Sequence, residues 1–191
     1  SKGSPVVFAE DDSESSLPFQ LMGECQRFNK KTILAAVRLL QQKMPISSQA
    51  IADGLAHVVE LTGLKGRWQK LGDSPLIIAD TGHNEAGIRL IVNQLSRLTY
   101  KTLRMVMGVV NDKDVHAMLS LLPKDATYYF TNAAIPRALP ASELQELAKN
   151  YDLIGKNYPS VQEALLAAKN EASNDDVIFV GGSNFIVAEV V

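Results

Sequence analysis

The most constraining feature of this 191-residue chain is the alternation of two kinds of segment from Pro75 onward. Short apolar, β-rich runs alternate five times with segments of helical periodicity, an order typical of a mostly parallel sheet. Leu76–Ala79 and Val177–Val180 are almost continuously apolar, which indicates strands buried on both faces. With right-handed crossovers, this pattern predicts an α/β fold, a Rossmann-like sheet with helices on both faces. The other predicted strands are Leu103–Val110, Thr127–Thr131 and Leu153–Lys156.

The first third of the chain follows a different pattern. Pro5–Ala9 has the composition of a strand, and the acidic, serine-rich Glu10–Ser16 after it indicates an exposed loop. Arg27–Gln42 and Ser48–Leu61 each predict a helix, because their apolar residues recur at spacings of three and four, and Ser47 is placed to cap the second. In the first helix, Ile33, Ala36, Val37 and Leu40 fall on one face.

A change of pattern between these two regions predicts a domain boundary. The segment Gly63–Asp73 contains three glycines and separates the helical start from the βα alternation. We therefore predict that residues 1–65 form a small α/β remnant of a larger domain and that residues 66–191 form the Rossmann-like domain. One strand and two helices bury little apolar area, so the first region should lean on other sequence.

Composition excludes several classes of protein. The formal net charge of −2 provides no broad attraction for nucleic acid or for an acidic membrane surface, so we expect neither as a partner. No apolar run approaches the roughly 20 residues that span a bilayer. The single cysteine, Cys25, cannot form an intramolecular disulfide, which favours a reducing compartment, and we expect a cytoplasmic protein.

Candidate functional residues follow the predicted strands. Ligands of open α/β sheets collect at the carboxyl ends of the strands, and the first strand ends in Asp80-Thr81-Gly82-His83-Asn84. Asp80 and His83 could contact a ribose, a phosphate or a substrate amine. Equally, Asn84 could only cap the next helix while Asp80 stabilises the turn.

The remaining loops offer weaker signals. Gly181-Gly182-Ser183-Asn184 could expose backbone N–H groups to an anion, although such a sequence is also a common turn. Arg67, at the boundary, could reach a bound phosphate, and Trp68 beside it is interpreted mainly as a packing residue. Lys113 and Arg137 are candidate anion contacts, with salt bridges and capping as the alternative.

Two kinds of site have no support in the sequence. The Walker pattern G-x-x-x-x-G-K-[ST] occurs nowhere, and no GxGxxG follows a strand. The three histidines, His57, His83 and His116, are isolated from one another and there is no CxxC pair, so we predict no metal site within this chain.

Taken in order, these loops resemble the folylpolyglutamate and dihydrofolate synthases, which belong to the larger Mur ligase group. Six short motifs carry the resemblance, and their order and spacing make it specific. They are Gly23-Glu24-Cys25-Gln26-Arg27-Phe28-Asn29, Gly66-Arg67-Trp68-Gln69, Asp80-Thr81-Gly82-His83-Asn84, Met107-Gly108-Val109-Val110-Asn111-Asp112-Lys113-Asp114, Pro136-Arg137-Ala138 and Gly181-Gly182-Ser183. The chain is thus similar to the C-terminal portion of such a ligase.

The resemblance implies an ATP-dependent ligase that adds L-glutamate to a folate or to dihydropteroate through an acyl phosphate. It implies that Asn29, Arg67 and Asp80 contact ATP. It also implies a catalytic role for His83, which would lie with Ser183 toward the incoming glutamate. The phosphate-binding loop and the ligands of Mg²⁺ would belong to sequence preceding residue 1, so we expect this chain alone to be inactive.

Two other functions remain open at this stage. The chain could belong to another Mur-type amino-acid ligase, one that acts on a peptidoglycan precursor. It could also be a non-catalytic nucleotide- or amino-acid-binding module that shares the fold. In each case we expect a monomer whose partners are small molecules.

Overall fold

The computed structural model describes residues 6–11, 15–111 and 115–191. The chain divides into two compact units, Ser1–Leu64 and Lys65–Val191. Within the described residues, no helix is both long enough and apolar enough to cross a membrane.

The first unit contains three helices, α1 (Glu24–Gln41), α2 (Ser48–Ala56) and α3 (Val58–Thr62). The predicted cap is confirmed, because the Ser47 hydroxyl accepts a hydrogen bond from the Ala50 amide at 3.1 Å. The second predicted helix is divided in two at His57, whose φ of −126° interrupts the helical backbone.

One prediction for this unit is wrong. The strand expected at Pro5–Ala9 is not formed in its described part, where residues 6–8 have no regular structure and Ala9–Asp11 form a 3-10 helix. The described residues of the unit offer no strand with which it could pair, and an unpaired strand is not stable. On the apolar face of α1, Ile33 is 40% exposed and Leu40 47%.

The second unit is built on a six-stranded sheet, which confirms the predicted α/β fold. Its strand order is β1-β2-β6-β3-β4-β5, and every neighbouring pair is parallel except β1 with β2. The strands are β1 (Gln69–Asp73), β2 (Leu76–Asp80), β3 (Leu103–Met107), β4 (Thr127–Phe130), β5 (Gly155–Asn157) and β6 (Val177–Gly181). The helices are α4 (Glu85–Leu95), α5 (Val115–Leu119), α6 (Ala141–Lys149), α7 (Val161–Glu171) and α8 (Asn184–Ala188).

Strand β1 was not predicted, since its sequence lacks an apolar run and lies in the segment interpreted as a boundary. It forms because it pairs antiparallel with β2, with Gln69 opposite Ala79 and Asp73 opposite Leu76. This edge strand satisfies backbone groups of β2 that would otherwise be unpaired.

Helices cover both faces of the sheet, and alternate residues of the same strand enter different cores. In β6, Phe179 joins the core formed with α4, α5 and α6, whereas Ile178 and Val180 join the core formed with α7 and α8. All five residues of β6 are buried, as expected for a central parallel strand.

A buried ion pair joins two strands near their amino ends. Arg104 Nε donates to Asp176 Oδ2 at 3.0 Å, and the Arg104 side chain also donates to the Tyr129 hydroxyl at 2.6 Å. The Asp176 side chain is only 2% exposed. Burial opposes its ionisation, but hydrogen bonds from Ser173 and Arg104 hold the pKa of Asp176 below its ordinary value. Burial also raises the pKa of Tyr129 to about 12.

We predict that Arg104→Met lowers the free energy of unfolding by roughly 3 kcal/mol, because it leaves the Asp176 carboxylate buried without its cation. Urea unfolding followed by the fluorescence of Trp68, the single tryptophan, measures this in the second unit. The matched control is Lys124→Met, which breaks the exposed Lys124–Asp152 pair and should cost under about 1 kcal/mol. Equal losses in the two variants would contradict the prediction.

Candidate functional site

The carboxyl ends of three neighbouring strands lie level with one another. Asp80, the last residue of β2, pairs with Gly181 of β6, which in turn pairs with Met107 of β3. The loops that follow these strands therefore begin side by side, at the edge where open α/β sheets bind their ligands.

Glycine is required where two of these loops leave the sheet. Gly182 has a φ of +92°, and a Cβ atom at this position would lie 2.7 Å from the carbonyl oxygen of Gly108. A Cβ on Gly108 would in turn lie 2.6 Å from the carbonyl oxygen of Thr131. Direct backbone contact between neighbouring loops thus explains the glycines at positions 108 and 182.

Asp80 is the most buried acidic residue of this edge, with an exposure of 7%. Its two carboxylate oxygens accept from different loops: Oδ2 from the Trp68 amide at 2.7 Å and Oδ1 from the Gly82 amide at 2.8 Å. Burial raises the pKa of the Asp80 carboxyl above its ordinary value, while the two amides and the charge of Arg67 act to lower it. Asp80 thus stabilises the turn, as the structural alternative in the sequence analysis proposed.

His83 is held in a defined orientation at the start of the next helix. Its Nδ1 lies 2.9 Å from the carbonyl oxygen of Thr81. Because a carbonyl oxygen can only accept, Nδ1 donates the proton, and Nε2 of the neutral imidazole carries the lone pair. Asn84 caps α4 by accepting from the Gly87 amide at 2.8 Å, which confirms its structural interpretation.

The segment that carries Arg67 is attached to the same turn on both sides. Before it, the carbonyl oxygen of Gly66 accepts from the Thr81 amide at 3.0 Å, and after it, Trp68 donates to Asp80. Trp68 has a φ of +50°, and its ring lies 6.4 Å from that of Phe179 and packs against the core. The packing role of Trp68 is therefore confirmed.

Ser183 and Arg137 lie on the loops after β6 and β4. The Ser183 hydroxyl, which is buried, caps α8 by accepting from the Phe185 amide at 3.2 Å. The guanidinium carbon of Arg137 lies 5.0 Å from the centre of the Phe185 ring, so stacking brings Arg137 to the same edge as Ser183. Lys113 lies outside the described residues.

The structure thus places Arg67, Asp80 and His83 on two segments joined by hydrogen bonds, with Ser183 on the loop after the adjacent strand β6. Asn29 belongs to the first unit, where its Nδ2 donates to Gln26 Oε1 on α1 at 2.9 Å. Among the described residues, no three histidine, cysteine or acidic groups converge in a way that could hold a metal ion.

Sequence reasoning missed two buried hydroxyls at this edge. In the described part of the chain, Thr81 Oγ1 and Thr131 Oγ1 are buried without a hydrogen-bond partner. Each residue directly follows a parallel strand, β2 or β4, and this position was the signal available in the sequence.

The fold and this edge define a class of protein: an open α/β domain whose ligand site is shared among the loops at the carboxyl ends of its strands. Residues 66–184, more than half of the chain, match the family described as the Mur ligase, glutamate ligase domain. The chain belongs to this family.

Individual relatives agree with the family. The chain is 30% identical over 176 residues to the folylpolyglutamate synthase of Lacticaseibacillus casei, a match covering 90% of this chain and 39% of that protein. Escherichia coli FolC, solved in complex with DHPP and ADP, has a TM-score of 0.77 at 30% identity, with 92% of this chain and 40% of that chain covered.

A further solved relative is a bifunctional folylpolyglutamate synthase/dihydrofolate synthase with Mn, AMPPNP and L-glutamate bound. It has a TM-score of 0.74 at 29% identity, and the match covers 92% of this chain and 40% of that one. The chain therefore spans about two fifths of the length of these relatives.

We predict that Gly66→Ala destabilises the second unit by roughly 1–3 kcal/mol, because its φ of +70° is unfavourable for a residue with a side chain. The added Cβ would also lie 2.6 Å from a Val187 methyl group and 2.8 Å from the Thr81 methyl group. Thermal unfolding followed by Trp68 fluorescence measures the loss.

The control is Gly54→Ala on α2, where nothing lies within 4 Å of the new Cβ. Because alanine favours the helix, this variant should gain roughly 0.5–1 kcal/mol in helical stability, measured by circular dichroism. A neutral Gly66→Ala would contradict the requirement for a left-handed backbone at this position.

Proposed function

We propose that this chain is part of an ATP-dependent ligase that joins L-glutamate to a folate, to dihydropteroate, or to both. The observation that carries the proposal is the group formed by Arg67, Asp80 and His83 at the carboxyl edge of a Mur ligase glutamate ligase domain. The relatives are named as folylpolyglutamate and dihydrofolate synthases, and this supports folates and dihydropteroate as the substrate class.

The nucleotide is assigned to Arg67 and Asp80 of the second unit. A guanidinium on a fixed backbone suits the phosphates, because it can donate paired hydrogen bonds to their oxygens. Asp80 adds a carboxylate next to that cation, and the contact of Asn29 with ATP stays a prediction. The ADP and AMPPNP complexes of the solved relatives support ATP as the co-substrate.

The proposed reaction has two displacements. An oxygen of the substrate carboxylate attacks the γ-phosphorus of ATP and displaces ADP, and the glutamate nitrogen then attacks the acyl carbon and displaces phosphate. The glutamate ammonium must lose a proton before it can attack. Nε2 of His83 is suited to accept that proton, because Nδ1 is engaged with the Thr81 carbonyl group.

Ser183 and Arg137 complete the glutamate side of this proposal. The Ser183 hydroxyl retains a proton to donate while it accepts from the Phe185 amide. Arg137, stacked on Phe185, supplies a cation for a carboxylate.

Mg²⁺ is proposed to accompany ATP, and the Mn complexes of the relatives support a divalent ion. We assign it no ligands among the described residues of this chain. A cytoplasmic location and a monomeric state stay predictions, the first favoured by the single cysteine.

We predict that the 191-residue chain alone forms no product, because the phosphate-binding pattern of this ligase class does not occur in it. The assay contains the purified chain, ATP, Mg²⁺, L-glutamate, and either dihydropteroate or tetrahydrofolate. A longer ligase polypeptide that carries the chain is the positive control. Product from the chain alone would contradict the prediction, and a longer ligase active only on UDP-muramoyl substrates would contradict the folate assignment.

In that longer ligase, we predict that His83→Ala lowers kcat by roughly 10²–10⁴-fold, because no group then accepts the proton of the glutamate ammonium. Steady-state kinetics with varied glutamate measure the effect. His116→Ala is the matched control, since His116 is an exposed histidine of α5 bonded to the Tyr151 hydroxyl at 2.9 Å. A kcat equal to that of the control would rule out His83 as the proton acceptor.

A further inference from the structure

The Asp80 carboxylate is an unusual acceptor for two amides. It is almost fully buried, and in the described structure both of its oxygens face backbone N–H groups: Trp68 on one side and Gly82 on the other. Burying an ionised carboxylate is costly unless hydrogen bonds compensate it. Asparagine would supply one acceptor oxygen, but its NH₂ group would face the second amide as a donor. Between these two side chains of equal length, only the carboxylate can accept hydrogen bonds from both amides.

The two amides belong to the segments that carry the candidate reactive side chains. Trp68 directly follows Arg67, and Gly82 directly precedes His83. The Trp68 amide is held while its backbone is left-handed, with a φ of +50°, a conformation that is unfavourable for a residue with a side chain. Something must stabilise that conformation, and the hydrogen bond to Asp80 is positioned to do so.

Other contacts also join the Arg67 and His83 segments, but they do not replace the hydrogen bond from Trp68 to Asp80. The Thr81 amide donates to the Gly66 carbonyl oxygen at 3.0 Å, which fixes the chain before Arg67. The Gly66 amide donates to Gln69 Oε1 at 2.7 Å, which is a contact within the first segment. After Arg67, β1 joins the same turn through its antiparallel pairing with β2, which begins at Gln69 opposite Ala79, and the hydrogen bond from Trp68 to Asp80 lies nearest to Arg67.

We propose that Asp80 is a positioning residue: its carboxylate holds the Arg67 segment and the His83 segment in one fixed arrangement. Asp80 then acts on nucleotide binding also through the direction in which Arg67 points, besides any contact of its own with the nucleotide. The catalytic part of this proposal rests on the proposed function, whereas the positioning itself is a property of the 191-residue chain.

Amide hydrogen exchange in the 191-residue chain tests the positioning without any activity. Asp80→Asn should accelerate exchange at Trp68 and Gly82 by at least about tenfold. The matched control is Ser160→Ala, which removes the hydroxyl that accepts from the Glu163 amide at 3.2 Å and caps α7. It should accelerate exchange near Glu163 and leave Trp68 and Gly82 unchanged. Unchanged exchange at Trp68 and Gly82 in Asp80→Asn would overturn the proposal.

If Asp80→Asn unfolds the unit, all amides exchange faster, and the test is then made on the wild-type chain. Scalar coupling across the hydrogen bonds, from the Trp68 and Gly82 amide nitrogens to the Asp80 carboxylate carbon, is then measured by NMR. Both couplings are expected, and absence of either would overturn the proposal.

Kinetics of the longer ligase test the consequence for ATP. Asp80→Asn and Arg67→Ala are each expected to raise the KM for ATP by about tenfold or more, and the double variant should raise it by clearly less than the product of the two increases. Such non-additivity is the signature of one residue acting through another. If the two increases in the KM for ATP multiply in the double variant, Asp80 acts independently of Arg67, and the proposed action of Asp80 through Arg67 is overturned. A ligase that does not use ATP would refute the proposed function, while the exchange result would still decide the positioning.

Discussion

Parallel pairing of β6 with both β2 and β3 is the constraint on which the rest of the second unit depends. The last strand of the chain, Val177–Gly181, lies between strands that come roughly a hundred residues and seventy residues earlier. Its register brings Asp80, Gly181 and Met107 to one level. Because this edge exists only when the last strand is in place, the candidate site requires the whole unit to be folded.

Close backbone contact at this edge explains why it is rich in glycine. Gly182 and Gly108 leave no room for a Cβ atom, and each lies against a carbonyl oxygen of the next loop. Neither position can therefore offer a side chain to a ligand, whereas Ser183, which follows the glycine pair, carries a hydroxyl. A packing requirement of the sheet thus determines which residues are available for chemistry.

Much of this arrangement was predictable from particular segments. The apolar runs Leu76–Ala79 and Val177–Val180 indicated central strands, and both are buried as expected. Ser47 was recognised as a helix cap and Trp68 as a packing residue, because each role depends on local chemistry or on apolar area. The order of the loop motifs also indicated the family before any contact was known.

Predictions failed where a segment depends on distant partners. The stretch Pro5–Ala9 has strand composition, yet the described part of its unit provides no strand to pair with it. Conversely, Gln69–Asp73 has no strand signal and becomes a strand because β2 offers an unpaired edge.

By itself, the sequence determined the type of sheet, the helix caps and the loops in which functional residues would lie, because periodicity and capping are properties of neighbouring residues. Only the tertiary structure decided what Asp80 contacts. Its partner Trp68 lies twelve residues away on another segment, and the two meet because β1 and β2 pair antiparallel. Strand pairing over such distances is fixed by packing of the complete sheet, which no local pattern encodes.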